Sequence, residues 1–281
     1  MTRENNNYGM EEEYRGLLSG AFYGGVPKED RTGVGTRSVF GRMLRHDMSE
    51  GFPLLTGKRV YFKNAVTELL WMLQGRTDMQ YLHQHGLKYW DADYERSGRT
   101  DGTLGPIYGK QWRNFNGIDQ IKKLVCDIKN DPTSRRLMVS AWNPADMEHM
   151  ALPPCHYGFQ VYVNDGKLSL FWSQRSADLF LGLPYDIAMY GLLLVMLAKG
   201  ADLEPGELGC FLGDCHIYSG HEDAVQTYLE RPTFKMPQVS VEQGLRYMPA
   251  EGGHVLIPTH GMIHLSEYES GPPITAPLYV G

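Results

Sequence analysis

An α+β fold built on one large mixed sheet, with flanking helices and a central buried helix, is predicted by three features of the sequence. Alternating, strand-like segments recur at 36–48, 137–142, 157–163, 168–174 and 207–218, interleaved with stretches of helical spacing. Asn164-Asp165-Gly166, set between two of those segments, is a hairpin signal. The run 187–198 is apolar on all sides, which suits a helix inside a core and not one on a surface.

In chain order, residues 10–22 carry apolar side chains at helical spacing, and Gly24-Gly25 stops them. Residues 30–35 are turn-rich and lead into the strand 36–48. Residues 64–74 form a helix with Val66, Leu69, Leu70 and Leu73 on one face, Glu68 near that face and Gly75 at its end. A short helix follows at 78–85. Residues 89–105 are polar and Gly-rich and read as an active-site loop. The amphipathic helix 118–129 is closed by Asn130-Asp131-Pro132. Residues 174–178 read as a polar run after a strand, 184–199 as the buried helix and 220–229 as a surface helix. The tail from residue 251 is rich in Gly and Pro. No linker, internal repeat or low-complexity segment interrupts the 281 residues, so a single domain spanning 1–281 is expected.

Composition excludes several classes. The hydrophobic fraction of 42% and charged fraction of 21% are those of a globular chain. The start is polar, with frayed residues expected at 2–7 and no signal-peptide pattern. The apolar run 187–198 is too short to span a bilayer, so no membrane partner is expected. Four cysteines without a CxxC pair suggest reduced thiols and a cytoplasmic setting. A net charge of −6 argues against nucleic acid as partner, so an anionic ligand needs a local arginine cluster.

Four features carry candidate chemistry. Cys155 follows two prolines, which make a rigid corner, and it reads either as a half-buried structural thiol or as a nucleophile. A nucleophilic cysteine needs thiolate character, which nearby arginine charge supplies. Arg31, Arg135, Arg136 and Arg175 stand in loops or at strand ends. Each alone reads as a surface ion pair; together they suit phosphate. Asp186 enters the most apolar helix, either as a helix-start carboxylate or as a group that reads a ligand edge. His216 and Tyr218 alternate on a strand and share a face, as a core pair or a binding pair. Cys210, Cys215, His216 and His221 do not match zinc spacings, and no metal is expected. Adjacent His156 is placed on the wrong side of a strand to act as the base of a cysteine hydrolase.

Eight motifs in order, over nearly the whole chain, resemble the thymidylate synthase family. They are Asp30-Arg31-Thr32-Gly33-x-Gly35-Thr36, Glu68-Leu69-Leu70-Trp71, Leu104-Gly105-Pro106-x-Tyr108-Gly109-Lys110-Gln111-Trp112, Ser134-Arg135-Arg136, Leu152-Pro153-Pro154-Cys155-His156, Gln174-Arg175-Ser176-x-Asp178, Leu181-Gly182-Leu183-Pro184 and Asp214-x-His216-x-Tyr218. The resemblance implies one-carbon transfer from 5,10-methylenetetrahydrofolate, a co-substrate, to C5 of a pyrimidine nucleotide monophosphate. By it, Cys155 attacks C6, Glu68 manages proton transfers through water and Tyr108 helps remove the C5 proton. Arg31, Arg175 and Ser176 hold phosphate, joined by Arg135 and Arg136 from the partner subunit of an obligate homodimer. His216 and Tyr218 bind the sugar hydroxyl, and Gln174 lies beside the nucleotide. Trp90, Asp178 and Gly182 border the folate, and the C-terminal residues close over it.

Two departures from the family pattern are informative. Thymidylate synthases carry asparagine where this chain has Asp186. The same change marks the deoxycytidylate hydroxymethylases of the family, known from phages. A protonated carboxyl can accept from the cytosine amino group and donate to N3, so Asp186 is expected either to hold its proton unusually tightly or to share it with N3 of the bound base. Second, a tryptophan expected three positions after Trp90 is Asp93, which implies a wetter wall. Deoxycytidylate 5-hydroxymethylation is therefore the expected activity. Alternatives are deoxycytidylate methylation, thymidylate synthesis, hydroxymethylation of the ribonucleotide, or a non-catalytic relative.

Overall fold

The computed structural model describes residues 9–249 and 253–280; the expected frayed start at 2–7 lies outside the described residues. Helix α1 (Met10–Gly24) buries Met10, Tyr14, Leu17, Leu18 and Ala21, positions three or four apart that share one face. A short strand β1 (Val26–Lys28) pairs with β2 (Thr36–Asp47). Helix α2 (Phe62–Leu73) is buried on nearly every side and not on one face alone, because it packs between other helices. Its Trp71 and Met72 are in the core beside the expected Leu69, Leu70 and Leu73.

Helices α3 (Met79–Gln84), α4 (Asp91–Arg96), α5 (Tyr108–Arg113) and α6 (Gln120–Asn130) follow, then strand β3 (Met138–Ser140). The expected loop 89–105 thus contains a helix, α4, and α5 was not foreseen. Both have six residues, too few for apolar periodicity to register.

Strand β4 (His156–Asn164) turns back into β5 (Lys167–Asp178) through Asp165 and Gly166, whose φ angles of 48° and 73° make the expected tight hairpin. Strand β5 does not end at Gln174, as expected, but runs on to Asp178. The run Gln174–Asp178 is its last stretch, held by parallel pairing of Ser176 with Asp214 and Asp178 with His216. Backbone pairing is indifferent to side-chain polarity, so a polar strand end beside a partner strand is invisible to hydropathy.

Helix α7 (Leu183–Ala201) crosses from β5 to the parallel strand β6 (Glu204–Tyr218). At 19 residues it exceeds the apolar run and is long and apolar enough to cross a membrane, but 78% of that stretch is buried within the protein. Helix α8 (Glu222–Glu230) and two small hairpins complete the chain: β8 (Arg246–Met248) with β9 (His254–Leu256), and β7 (Gln238–Val241) with β10 (Ile263–Ser266). The tail is therefore more ordered than its glycines and prolines suggest.

The main sheet has the order β1-β2-β6-β5-β4-β3 and is mixed, as expected: only β5 and β6 are parallel. One face carries α7 over Leu170, Trp172 and Leu212, which are buried. The register puts Met43, Phe211, Phe171, Tyr162 and Met138 on the opposite face. Tyr162, Met138 and Met43 are exposed there by 64%, 56% and 54%.

Candidate active site

A cleft of about 410 Å3 opens where β5, β6 and the start of α7 converge. It gathers Arg31, Glu68, Trp90, Tyr108, Cys155, Gln174, Ser176, Asp178, Gly182, Asp186, His216 and Tyr218 from segments scattered over the chain. Arg175 lies in an adjoining hollow that shares Arg31, Cys155, Ser176, His216 and Tyr218. Arg135 and Arg136 are exposed on the turn before β3 and line neither; Arg136 borders a separate groove with Phe115 and Met138.

Cys155 sits at the proline corner immediately before β4. Its N–H donates to Tyr108 Oη at 2.9 Å, and its carbonyl accepts from the Arg175 N–H at 2.8 Å. The Arg175 guanidinium donates to the carbonyls of Pro153 and Pro154, each at 2.9 Å, and its Nη2 lies 3.9 Å from Cys155 Sγ. A bulge between His156 and Gly158 turns the strand end into the cleft. Burial pushes the Cys155 thiol up, more than Arg175 and Arg31 pull it down, and Asp186 and Asp93 push the same way. The arginines thus pull toward the expected thiolate without setting the direction of the shift. Desolvation and two carboxyls outweigh the guanidinium charge.

Glu68 projects from α2 and accepts from Trp90 Nε1 at 2.7 Å and Tyr89 Oη at 2.8 Å. Burial raises its pKa against those bonds. Trp90 therefore holds a carboxylate as well as lining the cleft. Asp93, on α4, is only 7% exposed and takes 2.7 Å contact from Arg96 Nη2, so the position expected to be wet holds an ion pair. His216 and Tyr218 share a face, with ring centroids 5.1 Å apart. Asp214 Oδ1 lies 3.3 Å from His216 Nδ1 and accepts from Ser38 Oγ at 2.8 Å; its bond with His216 holds the Asp214 pKa down. Asp178 accepts from the N–H groups of Phe180 and Leu181, at 2.9 and 3.1 Å, and so fixes the turn into α7.

Asp186 stands in the first turn of α7. Burial pushes its pKa up to about 8, aided by Glu68 and Asp178 and opposed by a 2.9 Å bond from Gln174 Nε2 to Oδ2. The expected tightly held proton is thus matched, and a helix N-terminus alone would act the other way.

Sequence reasoning missed His156. It is not turned away: its ring stacks on Tyr108 at 4.3 Å and lines the cleft, with Nε2 4.0 Å from Asp186 Oδ1. Cys155 precedes β4, which begins at His156, so the strand alternation on which that expectation rested does not relate the two residues. Burial lowers its pKa to about 3, which favours the neutral imidazole. Leu278, Tyr279 and Val280 also line the cleft. Tyr279 stacks on His221 at 5.5 Å, and His221 Nε2 bonds the Pro277 carbonyl at 2.7 Å, contacts no local pattern announces. Among the described residues, no group of three or more His, Cys, Asp or Glu side chains is placed to hold a metal ion.

The protein is thus a mixed-sheet α+β fold whose parallel pair carries a buried crossover helix, with a cysteine and arginines set in one cleft. The chain belongs to the thymidylate synthase family, whose family model, described as thymidylate synthase, matches residues 12–280. Membership implies a folate-dependent transferase that carries a one-carbon unit to C5 of a pyrimidine nucleotide, in a family whose co-substrate is methylenetetrahydrofolate.

Proposed function

We propose that the protein, acting as one catalytic unit over its whole length, hydroxymethylates deoxycytidylate at C5. The observation that carries this is Asp186: a half-buried carboxyl at the cleft wall whose proton is held to about pH 8. A neutral acid there can give its proton to N3 of cytosine while an oxygen accepts from the amino group. An ionised carboxylate would repel the N3 lone pair.

Arg31, Arg175 and Ser176 bind the phosphate, and Arg135 and Arg136, remote from their own cleft, reach that of a partner subunit. The open apolar sheet face supports this homodimer, because a contiguous exposed apolar surface marks a contact site. His216, oriented by Asp214, and Tyr218 bind the sugar hydroxyl. The folate lies along Trp90, Asp178 and Gly182 and supplies the one-carbon unit.

The Cys155 thiolate forms a bond from Sγ to C6, the C5–C6 pair moves into C4–C5 and the C4–N3 pair onto N3, which takes the Asp186 proton and leaves C5 an enamine carbon. Burial holds the Cys155 thiol up against the pull of Arg175 and Arg31, so loss of its proton accompanies attack. After C5 takes up the one-carbon unit, Tyr108 draws off the C5 proton through water, with Glu68 completing the relay. The carbon–nitrogen bond to the folate then breaks, tetrahydrofolate leaves and an exocyclic methylene remains at C5. Water adds to that methylene and gives a proton to the same relay; N3 returns its proton to Asp186, the C5–C6 double bond re-forms and the Cys155 thiolate leaves. Asp93, paired with Arg96, keeps this wall polar.

Incubation with methylenetetrahydrofolate and either deoxynucleotide tests the reading by product mass and dihydrofolate absorbance. Expected is a hydroxymethyl product from deoxycytidylate with no dihydrofolate. Faster turnover of deoxyuridylate, or stoichiometric dihydrofolate, overturns it. Cys155→Ser is expected to abolish turnover in the same assay; retained turnover would remove the covalent step.

A further inference from the structure

Beneath Asp186 lies a residue that no motif singles out. Trp172 is fully buried on β5. Its indole Nε1–H donates to Gln174 Oε1 at 3.1 Å, and an indole can only donate. The Gln174 amide is therefore committed: its oxygen faces Trp172, and its nitrogen donates to the Ser176 carbonyl at 3.0 Å and to Asp186 Oδ2 at 2.9 Å.

The same indole stacks on Tyr190, with centroids 4.9 Å apart and planes 5° apart. Tyr190 is fully buried, and its hydroxyl meets His156 Nδ1 at 2.8 Å. Were Nδ1 protonated, the phenol hydrogen would be left in the core without an acceptor, which is costly. The imidazole therefore carries its hydrogen on Nε2, the atom that faces Asp186 Oδ1 at 4.0 Å. Both neighbours of the carboxyl are donors, and neither can take its proton.

We propose that Trp172 is a positioning residue for base recognition: by fixing the Gln174 amide, it leaves Asp186 flanked by donors alone, so that the only acceptor for the carboxyl proton is a ring atom of the bound base. The functional part of this rests on the reading of Asp186 given above. Without the indole N–H, the Gln174 amide is free to turn over. Its oxygen then accepts the Asp186 proton, satisfies the acid within the protein and withholds the proton from the ligand.

In the full-length protein, Trp172→Phe keeps a ring over Tyr190 and removes the N–H. Replacement of Trp172 by benzothienylalanine, which keeps the bicyclic shape and lacks the donor, guards against a packing defect. The readout is a carbon-13 carboxyl titration of Asp186 in nucleotide-free protein. Glu68, Asp178, Cys155, Tyr89, Tyr108 and Tyr190 all couple to Asp186 and stay in place in these variants. Expected is an Asp186 midpoint raised by about one unit or more, with kcat/KM for deoxycytidylate lowered about tenfold. A merely structural Trp172 would lower the melting temperature without moving that midpoint. An unmoved midpoint in both replacements overturns the proposal whatever the substrate. A midpoint that moves while the parent prefers deoxyuridylate upholds the role of Trp172 and sinks the base assignment instead.

Discussion

Asp186 on α7 and Glu68 on α2 are both half-buried carboxyls that line the cleft, yet their partners differ. Glu68 receives two short bonds from neutral donors, and Asp186 receives one. Asp186→Asn is expected to shift preference toward deoxyuridylate by at least about tenfold, since a base whose edge does not match leaves buried polar groups unpaired. Competition between the two nucleotides measures it; an unchanged ratio would remove Asp186 from base reading. A linked effect concerns stability. The folded-state pKa of Asp186 is raised to about 8 from 3.8, so the folded protein binds this proton more tightly than the unfolded chain. The resulting stabilisation is fully present below about pH 4 and is lost as pH rises through 8. Relative to the parent, Asp186→Asn should therefore gain stability with pH, by on the order of a few kcal/mol between pH 4 and 9. Urea denaturation across that range checks the sign.

At the scale of elements, the site depends on how closely β5 and β6 approach. Gly213 on β6 faces the Arg175 backbone, and an added Cβ would lie 2.6 Å from the Arg175 carbonyl oxygen. Backbone cannot yield as a side-chain tip can. Gly213→Ala is expected to cost roughly 1–3 kcal/mol and to raise KM for the nucleotide, because the strand that carries Arg175 and Ser176 must shift. Thermal melting and initial rates together test this. A variant with normal melting and normal KM would show that the strand end is adaptable. The helices α2 and α7 set the other walls: one brings Glu68, the other Asp186, and their mutual packing fixes the spacing of the two acids.

At the scale of the whole molecule, the open sheet face and the displaced arginines make one prediction. In solution the protein is expected to sediment as a homodimer, with Phe211→Arg giving an inactive monomer. Cys155→Ser and Arg136→Ala chains, each inactive alone, should on subunit exchange recover up to about a quarter of parental activity, since half the dimers are mixed and each has one complete site. No recovery from a confirmed mixed dimer would mean that Arg136 serves no partner cleft.

The fold class and most elements were legible because periodicity and turn chemistry act locally. Asn164-Asp165-Gly166 dictates its own hairpin, and the apolar 187–198 run can only be buried. Most candidate residues were legible through ordered motifs, which specify residue types but not environments. The short helices α4 and α5, and the continuation of β5 through Gln174–Asp178, were not legible, because neighbours and not local pattern hold them. The same limit governs the chemistry. By itself the sequence determined that Cys155 stands at a rigid corner and that a carboxyl replaces an amide at 186. Tertiary structure decided that burial outweighs the arginines at the thiol, that His156 lines the cleft and that the Gln174 amide nitrogen donates to Asp186. Proton affinity depends on burial and on the direction of hydrogen bonds from residues far apart in the chain, and only the folded arrangement supplies either.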